Sequence, residues 1–339
     1  MEMVSQGLLQ RGHDVSVALM GPSVQRSWER RLPNLVVGPL PATWSAARDH
    51  PAASLAFLRR LLGTQRPDVV VVTEPGGALL VRTALVASRG PRPRIVSWAH
   101  GDIGRMSYFR SMRLCDGHLA ISRGIADQMA QWRRRGAPVS VVYNPIAEPA
   151  GLCDRPPAGA PAAFVFVGRL ERQKRFDRLL RILAGVEPPN WRLDVVGDGA
   201  LRGEMTDLAA QLGLADRIGW HGWLPEPWRA VQRATAFLMT SDTEGFPLVL
   251  LEAIARGVPL VAMDCAFGPA EIVQPGTNGW LVPMGAEDRF TQVLGGICDG
   301  ALPLPPADVV RLTAAPYRLD AVLTAFEAAL SAVVAPQRH

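Results

Sequence analysis

Glu244 and Glu252 stand eight positions apart in Thr243-Glu244-Gly245-Phe246-Pro247-Leu248-Val249-Leu250-Leu251-Glu252-Ala253. The first lies in a stretch broken by glycine and proline, the second in a run of good helix formers. Eight residues make about two helical turns. Pro247, with its fixed φ and missing N–H, suits the first turn of a helix, which the spacing predicts over about 248–256, closed by Gly257. Glu244 then sits in the loop before a helix N-terminus, where backbone N–H groups and the positive dipole end face outward. That setting suits an anionic or polyhydroxyl ligand. The same pair also reads as two solvated glutamates on a surface loop and an amphipathic helix.

A second constellation pairs cations with a turn glycine. The run Ala163-Phe164-Val165-Phe166-Val167 reads as a strand, followed by Gly168, Arg169 and Lys174 and then a helix over 176–183. Strand, turn and helix in that order aim two cations and helix N–H groups at one point, which is a phosphate site in physical terms. Of the 36 basic residues 35 are Arg, so Lys174 is the only lysine. An ammonium kept in such a chain marks a place for a compact, strongly hydrated charge. His100 follows the apolar run that ends at Ala99, where a strand of a parallel sheet would present it at a carboxyl end.

The elements that must position these groups alternate. Helices are expected over 1–12, 51–63, 79–88, 106–114 and 124–134, with strands at 15–19, 69–72, 94–98, 117–121 and 139–142. The four valines 69–72 read as a strand buried on both faces. Residues 148–161, rich in Pro, Gly and Ala, read as a linker. Beyond it come strands at 163–167, 192–196, 218–223, 236–239, 259–262 and 280–282. Helices are expected at 176–183, 200–212 and 228–234, one begins near Pro269, and the last spans 318–334. The turn Gly197-Asp198-Gly199 is a weak phosphate signal and equally a tight turn. This alternation argues for doubly wound parallel sheets.

Length and composition bound the class. A chain of 339 residues fits two domains better than one. With 48% hydrophobic and 20% charged residues it is globular. No apolar run approaches the roughly 20 residues that span a bilayer, and Met1–Arg11 reads as an amphipathic helix, not a secretory signal. The four cysteines stand far apart without a C-x-x-C pair, which favours a reduced cytoplasmic protein without structural zinc. Residues 1–150 carry 19 Arg against 10 Asp and Glu, a net +9, while the remainder is net −4. Arg30-Arg31, Arg59-Arg60 and Arg133-Arg134-Arg135 make the first half a candidate for anionic lipid or an anionic substrate, and equally read as solvated faces. No zinc-finger spacing or aromatic-interleaved basic strand points to nucleic acid.

The ordered set of short motifs resembles the family-4 retaining glycosyltransferases of the GT-B fold, in which two Rossmann-like domains face each other across a cleft. The pieces are Ser97-Trp98-Ala99-His100, Leu119-Ala120-Ile121-Ser122, Tyr143-Asn144-Pro145-Ile146, Val167-Gly168-Arg169 with Lys174, Val196-Gly197-Asp198-Gly199, and Glu244 to Glu252 followed by Ala253, Gly257, Pro259 and Asp264. The forms around Glu244 and around Asp264–Ile272 are similar to bacterial enzymes that add hexoses to lipopolysaccharide or capsule, the lipopolysaccharide 1,6-galactosyltransferases above all.

The resemblance implies domains at 1–148 and 163–317, a linker at 149–162, and a closing helix, 318–335, that packs back toward the N-terminal domain. It implies a UDP-hexose donor, galactose or glucose, no metal, and a lipid-linked glycan acceptor met at the cytoplasmic face of the inner membrane. Arg169 and Lys174 would clamp the diphosphate, Glu252 would bind the ribose hydroxyls, and Glu244 and His100 would contact the hexose. The backbone at Gly168, Gly245, Phe246, Pro247 and Leu248 would line the donor pocket. Family members begin with a strand and a Gly-rich loop before the first helix; Met1–Leu9 already reads as that helix, so both are expected to be missing. A truncated, catalytically defective nucleotide-binding relative and a GT-B UDP-sugar epimerase are the alternatives.

Overall fold

The computed structural model describes residues 1–22, 29–41, 50–86, 90–106, 108–149 and 151–335. The chain divides into two compact units, Met1–Pro145 with Leu319–His339, and Ile146–Arg318.

The first unit opens with α1 (Glu2–Gln10), which ends at Gly12 with φ +90°. The strand expected over 15–19 shrinks to β1 (Ala18–Leu19), paired in parallel with β2 (Val36–Val37). These two form a sheet of their own, so the ladder has one partner and stays short. α2 (Pro51–Gln65) buries Leu58 and Leu62, four apart on one face. β3 (Val69–Val72), β4 (Arg94–Ala99), β5 (Gly117–Ala120) and β6 (Val139–Val141) make a four-stranded parallel sheet in sequence order. Within this sheet β3 is an edge strand, so three of its four valines are only half-buried and the expectation of burial on both faces fails. α3 (Pro75–Leu85) starts earlier than expected because Pro75 takes a first-turn position; the expected end at Ser88 lies outside the described residues. The helix expected over 106–114 is two 3₁₀ segments, Ile103–Arg105 and Phe109–Leu114. Tyr108, left-handed at φ 60°, separates the second from what precedes it. α4 (Arg123–Trp132) is capped by Ser122, whose Oγ accepts from the Ile125 N–H at 3.2 Å.

The second unit holds one six-stranded parallel sheet in the order β12-β11-β10-β7-β8-β9. In chain order the elements are β7 (Ala162–Val167), α5 (Phe176–Ala184), β8 (Trp191–Val196), α6 (Arg202–Gln211), β9 (Ile218–Gly222), β10 (Ala236–Met239), α7 (Leu248–Ala255), β11 (Leu260–Met263), α8 (Pro269–Ile272), β12 (Gly279–Val282), α9 (Glu287–Cys298) and α10 (Ala307–Leu312). The helix expected over 228–234 is a single 3₁₀ turn, Pro227–Arg229. α9 and α10 went unforeseen, although Phe290, Val293, Leu294 and Ile297 mark a buried helical stripe. Phe164, Phe176, Trp191 and Phe290 anchor the core. The segment expected to be a free linker lies along this unit: the Cys153 N–H donates to the Arg256 carbonyl at 2.8 Å, and Asp154 bridges Arg233.

α11 (Leu319–Val334) belongs to the first unit. Leu323 fills the space over Gly7, where a Cβ would stand 2.5 Å from its Cδ1. Phe326 meets Trp98 edge-on at 5.3 Å, and Glu327 binds Arg11 at 2.6 Å and His13 at 2.9 Å.

Candidate active site

Strand order in the second unit reverses at β7. The chain proceeds outward through β8 and β9, then returns to the other side of β7 through β10, β11 and β12. Loops leaving the carboxyl ends of β7 and β10 therefore part at a topological switch point, the usual ligand crevice of such a sheet. Lys174 comes from the first loop and Glu244 from the second.

Close backbone approach sets the first loop. Gly197 has φ +145°, and a Cβ there would lie 1.9 Å from the Gly168 carbonyl oxygen. The Gly168 N–H donates to the Val196 carbonyl and the Leu170 N–H to the Asp198 carbonyl, both at 3.0 Å. The Gly197-Asp198-Gly199 turn is thus a packing device for the Gly168 loop. A 3₁₀ turn, Arg172–Lys174, and left-handed Arg175 at φ 49° then deliver the chain into α5.

The second loop is fastened to the first residue by residue. Asp242 donates its N–H to the Gln173 carbonyl at 2.9 Å, and the Gln173 amide donates back to the Thr243 carbonyl at 2.6 Å. Thr240 Oγ1 donates to the Arg175 carbonyl at 3.0 Å. Arg178 binds Asp242 at 2.8 Å and the Thr240 carbonyl at 2.9 Å. Arg175 reaches both Asp177 and Asp242, and the Asp177 hydrogen bond, first among the favourable contacts, raises its pKa.

This zipper brings Lys174 Nζ to 2.7 Å from Glu244 Oε1. The side chains are 19% and 8% exposed, so the pair is largely withdrawn from water and each charge depends on the other. Arg169 stands apart from this pair. Its guanidinium is 70% exposed and bound to Glu171 at 2.9 Å. The geometry joins one of the two expected cations to Glu244 and leaves the other facing solvent.

Gly245 is half-buried, while Phe246 and Pro247 are buried. Phe246 turns its ring inward against Tyr317, with centroids 5.6 Å apart, so only its backbone can face a ligand. Gly268, at φ +104°, lets the Phe246-Pro247 turn close: a Cβ there would come within 2.5 Å of Pro247 Cδ. α7 begins at Leu248 with Pro247 as its cap, as the sequence anticipates. Glu252, on the second turn of α7, accepts from Trp228 Nε1 at 3.1 Å. Burial raises the pKa of Glu252 against that hydrogen bond. Gln173, Asp242, Arg178 and Trp228 are the residues that sequence reasoning missed, since each acts through a partner remote in the chain.

In the first unit His100 ends β4, its ring tilted over Trp98 at 4.6 Å. The ring keeps an exposed edge while protein crowds its other side. That crowding desolvates the charged form and takes the pKa down to about 4, so the imidazole is neutral at pH 7. Among the described residues no three of His, Cys, Asp and Glu are grouped as metal ligands. No described helix is long and apolar enough to cross a membrane.

Comparison with known proteins meets this geometry from both ends of the chain. The family model "Glycosyltransferase Family 4" matches residues 1–148, and "Glycosyl transferases group 1" matches residues 155–294. The chain is 35% identical over 261 residues to lipopolysaccharide 1,6-galactosyltransferase of Salmonella typhimurium, covering 73% of this chain and 72% of that one. Its counterpart from Escherichia coli is 34% identical over 263 residues, covering 73% of each. Among solved structures, the apo form of the lipopolysaccharide outer core galactosyltransferase WaaB superposes with a TM-score of 0.80 at 29% identity, over 90% of this chain and 86% of the other. Anabaena HepE, solved with UDP and glucose, superposes with a TM-score of 0.76 at 18% identity, over 97% and 94%.

Proposed function

The chain belongs to the family-4 glycosyltransferases of GT-B fold, and from that premise we propose that it is a retaining, metal-independent hexosyltransferase. Its donor is a UDP-hexose, galactose or glucose, and its acceptor a lipopolysaccharide or related lipid-linked glycan. The observation that carries this reading is the Lys174–Glu244 pair, built from two loops at the switch point of a nucleotide-binding type of sheet. The names of the relatives supply the substrate class, and HepE, bound to UDP and glucose, supplies the donor class.

The roles follow from charge and reach. Lys174 offers three donors to the diphosphate, beside the start of α5, and stabilises the charge that grows on the departing nucleotide. Arg169, free in solvent apart from Glu171, can swing onto the same phosphates. Once Lys174 turns to phosphate, Glu244 becomes an acceptor for a hexose hydroxyl. Glu252 takes the ribose hydroxyls, with the oxygen that Trp228 does not occupy. The backbone of Gly168 and of Gly245–Leu248 lines the donor. The role of His100 toward the hexose rests on the family resemblance alone. Retention proceeds by departure of the UDP and attack from the same face, with a phosphate oxygen taking the acceptor proton.

Transfer of radiolabelled hexose from its UDP donor to deep-core lipopolysaccharide tests this. Lys174→Ala and Glu244→Ala are each expected to lower kcat/KM at least about tenfold. Breaking one side of a buried pair also costs stability, about 3–5 kcal/mol. Lys174→Gln with Glu244→Gln therefore serves as a folded, uncharged control, and it too should be inactive. Full activity in these variants would remove the site assignment, and calorimetry showing no UDP binding would remove the donor.

A further inference from the structure

A cationic, aromatic face on the first unit is made of residues that the proposed reaction does not use. Phe109–Leu114 is a 3₁₀ helix, in which residues three apart eclipse. Arg110 and Arg113 therefore stack on one outward side, both exposed, while Met112 between them is buried. Tyr108, in its left-handed conformation, is 53% exposed. Phe109 meets Trp132 edge-on at 4.8 Å, and the Arg110 guanidinium lies 5.9 Å from the Phe109 centroid. Trp132 ends α4 and runs directly into Arg133, Arg134 and Arg135, all exposed.

The charge on this face is largely uncompensated. Arg133 donates to the Ala137 carbonyl and Arg134 reaches Asp116 at 3.4 Å. Asp116 is itself buried and already held by Arg82 at 2.7 Å. Arg110, Arg113 and Arg135 have no carboxylate partner among the described residues. The only exposed carboxylate on α4 is Asp127, one turn beyond Arg123. The Ser111 hydroxyl is spent on the Tyr108 carbonyl at 2.8 Å. What the face presents is charge and aromatic edge, with little directional hydrogen bonding. Sugars and base edges are read by directional groups, whereas an anionic bilayer is met by charge density and by aromatic rings at headgroup depth.

We propose that Tyr108–Arg113 and Trp132–Arg135 dock the first unit on an anionic lipid bilayer. Arg110, Arg113 and Arg135 lie among the phosphates, their methylene stems and the Phe109–Trp132 pair toward the apolar side. This deepens the reading of a lipid-linked acceptor, since such an acceptor is met only at a bilayer surface.

Co-sedimentation with vesicles decides it without donor or turnover. The wild-type protein should bind phosphatidylcholine vesicles that contain phosphatidylglycerol, lose that binding in high salt, and ignore phosphatidylcholine alone. Arg110→Gln, Arg113→Gln and Arg135→Gln together should weaken partitioning about 100-fold, at about fivefold for each arginine, and Tyr108→Ser should add a smaller loss. Arg181→Gln, Arg192→Gln and Arg289→Gln, exposed arginines of the second unit, remove the same net charge and should change binding less than twofold. Equal loss in both triple variants would reduce the effect to net charge and overturn the docking face. So would wild-type binding by the face-neutralised variant, or retention of a DNA duplex without vesicle binding. An inactive wild-type protein that still shows the contrast between the two triple variants would overturn the transferase reading and leave the docking face standing.

Discussion

Glu252 is held from behind by Trp228. The indole N–H donates to Oε2 at 3.1 Å, and Arg256 stacks on the same ring 4.9 Å from its centroid while donating to the Glu252 carbonyl. One carboxylate oxygen is thereby fixed and the other left for a ligand. A hydrogen bond to a charged group contributes about 1.5–3 kcal/mol. Trp228→Phe keeps a ring for Arg256 and removes only the donor, so it is expected to raise the Kd for UDP about tenfold in calorimetry with little change in Tm. An unchanged Kd would mean that Glu252 needs no such support. The sequence places Glu252 on its helix through Pro247 and Gly257, both purely local signals. Trp228 was invisible because its partner is 24 residues away, and because the residues after it read as a helix where the chain makes one 3₁₀ turn.

At the scale of elements, the site depends on how closely loops can approach. Gly197 is the sharpest case, because its φ of +145° and the Gly168 carbonyl both forbid a side chain. Gly197→Ala is expected to destabilise the second unit by at least about 2 kcal/mol, from backbone strain and overpacking together. It should also lower UDP affinity, because the displaced Gly168 loop leads directly to Lys174. Urea unfolding and calorimetry on the same preparation check both, and a loss of stability with intact affinity would separate the turn from the site. The glycines after β7 and β8 were legible as turns. Their mutual contact was not, since it requires knowing that the two strands are neighbours. The same holds for Asp242, whose sequence neighbourhood gives no hint that it ties α5 to the loop carrying Glu244.

At the scale of the molecule, the two units respond differently to acid. His118 is 1% exposed in the first unit's sheet, bonded through Nδ1 to Ser97 Oγ at 2.7 Å, with Nε2 unpartnered. Desolvation first, and Arg133 and Arg134 next, push its pKa down from 6.5 to about 4. The folded state therefore holds it neutral while the unfolded chain takes up a proton below pH 6.5. The stability contributed by the neutral form is complete above pH 6.5 and is lost as pH falls toward 4, by roughly 2–3 kcal/mol in all. His118→Gln, which can still bond Ser97, should flatten that part of the pH dependence of the urea midpoint; an unaltered slope would place the acid sensitivity elsewhere, His100 being the next group with the same sign.

The sequence by itself determined the class of fold, the family, and the type of chemistry. Alternating short apolar runs and helical stripes dictate a parallel α/β architecture, and the order of small motifs from Ser97 to Asp264 identifies the family, because both kinds of signal are local and survive without coordinates. Element lengths were less secure wherever a strand's neighbours mattered. β1 is cut to two residues by having one partner, and β3 is half-buried because it lies at an edge. Only the tertiary structure decided which charges meet. Lys174 and Glu244 are 70 residues apart in the chain and become partners because β10 returns to pair with β7. Arg169, five residues from Lys174, faces solvent because its turn leaves the strand before the chain bends back. Periodicity fixes what a segment is, but sheet order fixes what it touches, and the site is made of touches.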